Sequence, residues 1–269
     1  MLITSLQNPR IKLLAKFKNR RQRDESHAIL IEGYKATLLA LENNIPIKEV
    51  YYCPELYLGE NETALIARAV EQGAMTYETT ADVFRKIAYR DRPEGLIAIA
   101  EQFHKKLDDI PVNDHSLYLV AEAIEKPGNL GTMLRSADAA GVEAVIVCDG
   151  RTDIYNPNVV RASIGTLFSV PVAVTSTEEF FAWKERNHVQ LLATTPSASE
   201  QFTDVDVTGK VALAIGTEQV GLPDSWLDQA DLKILIPMYG QADSLNAATS
   251  ASVVLYEAVR QRRAAGILK

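Results

Sequence analysis

Cysteine is almost missing from this chain: Cys53 and Cys148 are the 2 in 269 residues, far apart and without paired spacing. That count excludes a disulfide scaffold and a cysteine-rich zinc module, and it fits a reducing compartment. Histidine is scarce as well. His27, His104, His115 and His188 are scattered, with no His-x-x-x-His pair and no nearby Cys to complete a metal site, so each reads as a surface or packing residue. No apolar run approaches the roughly 20 residues that a membrane span requires. Met1 is followed by Leu2-Ile3-Thr4-Ser5, without a basic stretch ahead of an apolar one, so no secretory signal is visible. The expectation is a soluble, cytoplasmic protein that uses neither metal nor membrane. Several catalytic signatures are also missing: there is no Gly-x-x-x-x-Gly-Lys-Ser/Thr loop and no Gly-x-Gly-x-x-Gly turn, Gly128-Asn129-Leu130-Gly131 having the wrong spacing. A Gly-x-Ser-x-Gly elbow is absent too, which disfavours that type of hydrolase.

What is present is an ordinary globular composition, 47% apolar and 23% charged, in a length that suits two domains. The balance of 28 basic against 35 acidic side chains, net −7, has the wrong sign for binding nucleic acid through bulk charge. The distribution says otherwise. Residues 1–35 hold 8 Lys/Arg and 3 Asp/Glu, whereas the rest holds 20 and 32. An acidic body carries a basic arm.

The pattern along the chain is α/β. Ile11, Leu13, Leu14 and Phe17, among Lys12, Lys16 and Lys18, predict a basic amphipathic helix with Pro9 near its start, followed directly by the run Asn19-Arg20-Arg21-Gln22-Arg23. Strands at 27–31, 47–52, 75–77 and 96–100 then alternate with helices at 34–42, 62–72 and 81–88. Residues 101–116 are polar, carry Pro111 and lack a period, which makes them a linker. From 117 the strands are near-continuous apolar runs, at 117–124, 144–148, 189–193, 211–215 and 234–236. Such runs belong to strands buried on both faces of a parallel sheet. A long helix closes the chain, from about Leu245 to Arg263.

Three segments follow buried strands, the position where open α/β sheets bind ligands. In the first, Glu125 to Arg135, Pro127 and Gly128 turn the chain off its strand, Asn129 is a natural helix N-cap, and Arg135 lies about 9 Å further along the axis. In the second, Ile215 to Pro223, a strand ends at Gly216, Glu218 follows, and Gly221 precedes a Pro-initiated helix; glycines there permit close backbone approach. In the third, Ile236 to Asn246, a loop leads from Pro237 to a cap at Asp243 or Ser244. Beyond it Ala247, Ala248, Ser250, Ala251 and Ser252 form a small-residue face. Each segment also has a plain structural reading: capping alone explains Asn129, Asp243 and Ser244, a surface pair with Asp138 explains Arg135, and a solvated turn explains Glu218.

Taken together, the three segments resemble the signature motifs of the SpoU (TrmH-like) branch of the SPOUT RNA 2′-O-ribose methyltransferases. Pro127-Gly128-Asn129-Leu130-Gly131 with Arg135 looks like the first motif, Gly216-Thr217-Glu218 with Gly221-Leu222 the second, and Ile236-Pro237-Met238 with Gly240 and Ser244-Leu245-Asn246 the third. Residues 1–100, with Thr4-Ser5-x-x-Asn8-Pro9-Arg10 and Ile31-Glu32-Gly33, are similar to the L30e-like substrate-binding domain these enzymes often carry. The resemblance implies an L30e-like RNA-binding domain over 1–100, a linker over 101–116, and over 117–269 a SPOUT parallel-sheet domain with a deep trefoil knot, a known exception to unknotted topology. It implies a homodimer with the site at the subunit interface. It also implies S-adenosylmethionine as cofactor, S-adenosylhomocysteine as its product, no metal, and ribosomal or transfer RNA as partner.

Transferred by motif position, Thr194, Gly216, Glu218, Gly221, Ile236, Met238 and Leu245 are the expected cofactor-binding residues. Asn129, Arg135, Glu218, Ser244 and Asn246 are the expected polar groups at the reacting centre. These residue types suit a displacement that depends on alignment, and they require neither metal nor histidine. The family assigns activation of the 2′-OH to Arg135. An arginine is a poor base, its pKa exceeding about 12, so binding of the target phosphate or of the developing alkoxide is the other role open to it. Two departures stand out: Gln219 where the second motif usually has Gly, and Ala247-Ala248-Thr249 in place of Val-Ser-Val. Expected RNA contacts are Arg10, Arg20, Arg21 and Arg23, with a second cluster at Arg85, Lys86, Arg90 and Arg92. The alternative is a non-catalytic RNA-binding or assembly protein that retains the fold. A third reading, an enzyme of small nucleotides, leaves the basic arm unexplained.

Overall fold

The computed structural model describes residues 1–268, which divide into two compact units. The first comprises Met1–Phe103 together with Asp153–Ser169; the second comprises His104–Thr152 and Val170–Lys269. The chain therefore enters the first unit twice, whereas the sequence offers a single crossing near residues 101–116.

In the first unit, β1 (Leu2–Ile3), α1 (Pro9–Lys16), α2 (Arg20–Glu25), β2 (Ala28–Glu32), α3 (Tyr34–Glu42), β3 (Ile47–Tyr52), α4 (Glu62–Glu71), β4 (Met75–Thr79), α5 (Ala81–Ile87) and β5 (Leu96–Glu101) follow in order. The five strands make a mixed sheet, β1-β4-β3-β5-β2, with β5 antiparallel to both neighbours. Asn8 caps α1, its side chain accepting from the Arg10 N–H, and Pro9 sits at the first helical position, where a missing N–H costs nothing. Ile11, Leu14 and Phe17 are buried, but Leu13 is 46% exposed. The reason is angular: at 100° per residue Leu13 stands about 200° round the helix from Ile11, so it cannot share that stripe. The basic run is not an extended arm. Asn19 accepts from the Arg21 N–H and starts α2, which carries Arg20, Arg21 and Arg23 as one short helix.

The second unit starts with β6 (Leu117–Glu122), α6 (Pro127–Ala140) and β7 (Ala144–Cys148). The chain then supplies α7 (Pro157–Ala162) to the first unit, where α7 packs against β2. Only glycine fits the turn after α7: Gly165 has φ +88°, and a Cβ there would meet Ala36 Cα at 2.6 Å. Back in the second unit come β8 (Val172–Thr175), α8 (Thr177–Asn187), β9 (Gln190–Thr194), β10 (Glu200–Gln201), β11 (Val211–Ile215), α9 (Asp224–Gln229), β12 (Leu232–Leu235) and α10 (Ala247–Ala264). The seven strands are all parallel, in the order β10-β12-β9-β11-β6-β7-β8. Every residue of β6, β7 and β11 is buried, as continuous apolar runs require.

Parallel strands place all their carboxyl ends at one edge of the sheet, and the loops after β9, β11 and β12 meet there. The helix α10 returns to pack on α6, with Ser136 and Ser252 hydroxyls 2.7 Å apart, the close approach its small-residue face permits. Its far end is pinned by buried Arg262, whose guanidinium donates to the carbonyls of Val207 at 2.9 Å and Gly209 at 2.7 Å. No helix among the described residues is long and apolar enough to cross a membrane.

Candidate active site

A chain of three side chains joins the segments that follow β6, β11 and β12. Asn246, not Asp243 or Ser244, caps α10: its Oδ1 accepts from the N–H groups of Ala248 at 3.0 Å and Thr249 at 3.4 Å. Backbone N–H groups only donate, so the cap fixes which way the amide faces. The Asn246 Nδ2 is thereby turned outward and donates to Asn129 Oδ1 at 3.1 Å. The Asn129 Nδ2 in turn donates to Glu218 Oε1 at 2.5 Å. One helix cap thus sets the direction of hydrogen bonding through residues from all three segments.

Asn129 is free to take part because it does not cap α6. That helix begins two residues earlier, at Pro127, with Lys126 in the cap position. Proline is pre-organised for the first helical turn, which moves Asn129 from the expected cap to a place inside the helix. Its backbone N–H bonds the Lys126 carbonyl at 3.0 Å, leaving the side chain available.

At the Glu218 end of this chain lies a cavity of about 480 Å3, lined among others by Thr194, Gly216, Glu218, Ile236, Met238 and Leu245 but not by Asn129 or Asn246. All seven expected cofactor residues, Gly221 included, line it. So does Ser244, whose hydroxyl donates to Asp243 Oδ1 at 3.3 Å. Two oxygens of the lining are buried without a partner, Thr194 Oγ1 and Glu218 Oε2. An unpartnered buried acceptor costs about 1–3 kcal/mol, so each is a place for a ligand donor. The wall between β11 and α9 is a tight turn: the Thr217 N–H donates to the Gly221 carbonyl at 3.0 Å, and the Gly221 N–H donates back at 3.1 Å. A Cβ on Gly216 would lie 2.2 Å from the Gly221 carbonyl carbon, and Gly221 has φ +71°, so both positions demand glycine. Gln219 is exposed and lines the cavity mouth with Val220.

Arg135 is not brought to this cavity. It is exposed, outside the lining, and forms no ion pair among the described residues. The six-residue spacing from Asn129 carries it about 9 Å along α6.

Sequence reasoning gave Thr217 no role of its own and missed Glu122. Thr217 closes the turn just described, its hydroxyl also accepting from the Val220 N–H at 3.2 Å. Glu122 is buried at the end of β6, and the one signal for it was a carboxylate inside the apolar run 117–124. Burial pushes its carboxyl up to about 7; the Thr177 hydroxyl opposes that rise, Asp149 adds to it, and Trp226 and Arg151 oppose it. The Thr177 hydroxyl is within donating distance of Asp149 Oδ2 at 2.7 Å and of Glu122 Oε2 at 3.1 Å, so the two carboxyls share one proton donor.

The expected RNA contacts divide. Arg20 and Arg21 are exposed on α2, paired with Asp24 and Glu25 one turn on. Arg85 pairs with Asp82, Arg90 with Glu94, and Arg10 with Glu49; Lys86 and Arg92 are exposed. Arg23 leaves the set. Its side chain is 1% exposed, ion-paired to Asp153 and donating to the Phe17 carbonyl at 2.7 Å, so it serves the fold of the first unit and cannot reach a phosphate.

Two family models match the chain: the SpoU rRNA Methylase family over residues 116–256 and the MRM3-like substrate binding domain over residues 8–98. The 23S rRNA (uridine(2479)-2′-O)-methyltransferase of Streptomyces viridochromogenes is 35% identical over 91% of this chain and 86% of its own length. The 23S rRNA (guanosine(2553)-2′-O)-methyltransferase RlmP of Bacillus subtilis is 29% identical over 94% of this chain and 97% of its own. Among solved structures, an AdoMet-bound rRNA methyltransferase from Sinorhizobium meliloti superposes with a TM-score of 0.89 at 33% identity, covering 100% of this chain and 99% of the other.

Proposed function

We infer that this chain, which belongs to the SpoU rRNA methylase family, transfers a methyl group from S-adenosylmethionine to a ribose 2′-OH of 23S ribosomal RNA. The reaction class and cofactor are those of the family and of its similar members. The choice of 23S RNA over transfer RNA rests on what the two full-length relatives described above are named for. The observation that carries the reading is the Asn246–Asn129–Glu218 chain bordering a cavity with two unpartnered buried oxygens.

The cavity suits S-adenosylmethionine. Its volume, about 480 Å3, falls within the range of small-molecule sites, and it mixes apolar Ile236, Met238 and Leu245 with the free acceptors of Thr194 and Glu218. When bound, the cofactor supplies an electrophilic methyl carbon. The chain's own residues position. Glu218 Oε2 accepts a hydrogen bond from a bound hydroxyl or ammonium. Asn129 holds Glu218 in place, and Asn246 holds Asn129. An in-line displacement gains most of its acceleration from such alignment. No group of three or more His, Cys, Asp or Glu able to hold a metal occurs among the described residues.

Arg135 completes the site from a second copy of the chain in this reading, since its own α6 carries it away from the cavity. The homodimer is part of the same proposal. The sheet order supports the trefoil knot: β12 lies beyond β9, yet α10 returns to α6 and β11. Met1–Phe103 with Asp153–Ser169 are proposed as the RNA-docking unit, and His104–Thr152 with the chain from Val170 onward as the methyltransferase unit, in place of a linker over 101–116. Phosphate contacts are assigned to Arg20, Arg21, Arg85, Lys86, Arg90 and Arg92, in the cytoplasm. Mapping 2′-O-methyl sites in total RNA with and without the gene tests the reading. Loss of one site in 23S RNA is expected; loss in transfer RNA alone overturns the substrate, and no S-adenosylmethionine binding by calorimetry overturns the activity.

A further inference from the structure

A second cavity, of about 250 Å3, opens beside α1 in the first unit. Its floor is apolar and buried, made by Leu14, Phe17, Tyr51 and Ile99. Its lining also includes Arg10, Leu13 and Met75, and the latter two are 46% and 52% exposed although apolar. Helix periodicity already explains why Leu13 is not in the core; the cavity gives its exposure a use.

Arg10 is held in one orientation. Its guanidinium lies 4.7 Å from the centroid of the Tyr77 ring, and Tyr77 is stacked on Tyr51 at 5.0 Å. Glu49 pairs with the guanidinium and also accepts from the Tyr51 hydroxyl at 2.5 Å. Even so, 46% of the Arg10 side chain is open. Three neighbours therefore fix a planar cation at the cavity without covering it. Its charge, however, is balanced by Glu49, and that of Lys48, also in the lining, by Glu101 at 3.2 Å. The cavity thus presents flat and apolar surface with little net charge. Phosphate recognition needs the reverse. Unstacked RNA bases are recognised on aromatic rings and guanidinium planes.

We propose that this cavity receives one unpaired base of the RNA substrate, stacked on the Arg10 guanidinium and seated against Leu13 and Met75. The assignment rests on the reading of the first unit as the RNA-docking unit. It changes the part given to Arg10, from neutralising a phosphate to holding a base.

The test uses the full chain, unmodified 23S ribosomal RNA transcribed in vitro, and a series of salt concentrations. Arg10→Lys keeps the charge and removes the plane; Leu13→Glu places a charge at the mouth from an exposed position that the fold does not need. Thermal melts and S-adenosylmethionine calorimetry on each variant establish that both units are intact. Each variant is expected to weaken RNA binding on the order of tenfold, the worth of one stacked base, with the slope of log affinity against log salt unchanged in the charge-conserving Arg10→Lys. Wild-type affinity in both variants overturns the base receptor and leaves the docking reading standing. Full retention by Arg10→Lys, with Arg10→Ala lowering the salt slope by about one, makes Arg10 a phosphate contact and also overturns it. Absence of RNA binding by the wild type overturns the docking reading itself, and this proposal with it.

Discussion

The arginines of the first unit and the larger cavity of the second treat their polar groups in different ways. In the first, arginine after arginine is matched by a carboxylate: Arg10 with Glu49, Arg20 with Asp24, Arg21 with Glu25, Arg23 with Asp153, Arg85 with Asp82 and Arg90 with Glu94. In the second, the side chains around the larger cavity bond mainly to one another and leave Thr194 Oγ1 and Glu218 Oε2 unmatched. Exposed pairs such as those of Arg20, Arg21 and Arg85 are loose and exchange for phosphate at small cost, whereas Arg10 and Arg23 are held by further contacts. A site that aligns two reactants keeps its donors rigid and its acceptors waiting. On the proposed function, the contrast separates residues that set affinity from residues that set rate.

Arg23 is the sharpest challenge to that contrast, because it is a first-unit arginine whose pair is buried. Arg23→Ala strands Asp153 and opens the packing around α2. Breaking a buried pair costs about 3–5 kcal/mol, so denaturant unfolding should show a loss of that order. A change within the few tenths typical of surface pairs would show that the buried pair is no different from its neighbours. Next in size is Asn129→Ala, which cuts the hydrogen-bond chain at its centre. We expect a fall in kcat of roughly 100-fold, of the kind seen when one positioned donor is removed, with RNA affinity unchanged in filter binding. A fall in RNA affinity instead would erase the division of labour.

Glu122 gives a pH dependence of intermediate size. Its carboxyl, pushed up to about 7 from an ordinary 4.5, holds its proton more tightly folded than unfolded. The stabilisation is therefore complete below about pH 4.5 and is lost as pH rises to about 7. Glu122→Gln keeps the shape and cannot ionise. Its unfolding free energy should lack that decline, gaining on the order of 2 kcal/mol relative to the wild type between about pH 5 and 8. Parallel curves for the two proteins would refute the protonated carboxyl. The smallest effect on stability is expected from Arg20→Glu with Arg21→Glu. Exposed pairs of this kind contribute about 0.5 kcal/mol or less, so melting should barely move. RNA affinity should drop and its salt slope flatten by about two, one for each phosphate no longer neutralised.

Much of this was legible in the residue order. Buried parallel strands announce themselves as apolar runs because both faces are covered, which is why β6, β7, β9 and β11 stand where the pattern puts them. The three loops were legible because glycine, proline and asparagine are restricted to a few backbone conformations. The two-residue strand β10 left no such mark, and the run of β8, Val172-Ala173-Val174 behind Pro171, is too short to stand out. Pairings across long separations were illegible: nothing near Arg23 points to Asp153. Cap positions slipped by small steps, to Lys126 rather than Asn129 and to Asn246 rather than Ser244. Those steps decide which side chains are free for chemistry. A glutamate such as Glu122 looks the same in sequence whether it is solvated or holds a proton.

The segment Asp153–Ser169 has a consequence for synthesis as well as for structure. Arg23 precedes its partner Asp153 by 130 residues. At about 5–20 residues per second the ribosome takes roughly 7–26 seconds to close that gap. During that interval the whole of the first sheet is available, but an arginine destined for the interior has no counter-charge, and α7 has yet to cover β2. The first unit must wait for part of the second to be made, so its completion is a late event in the life of the nascent chain.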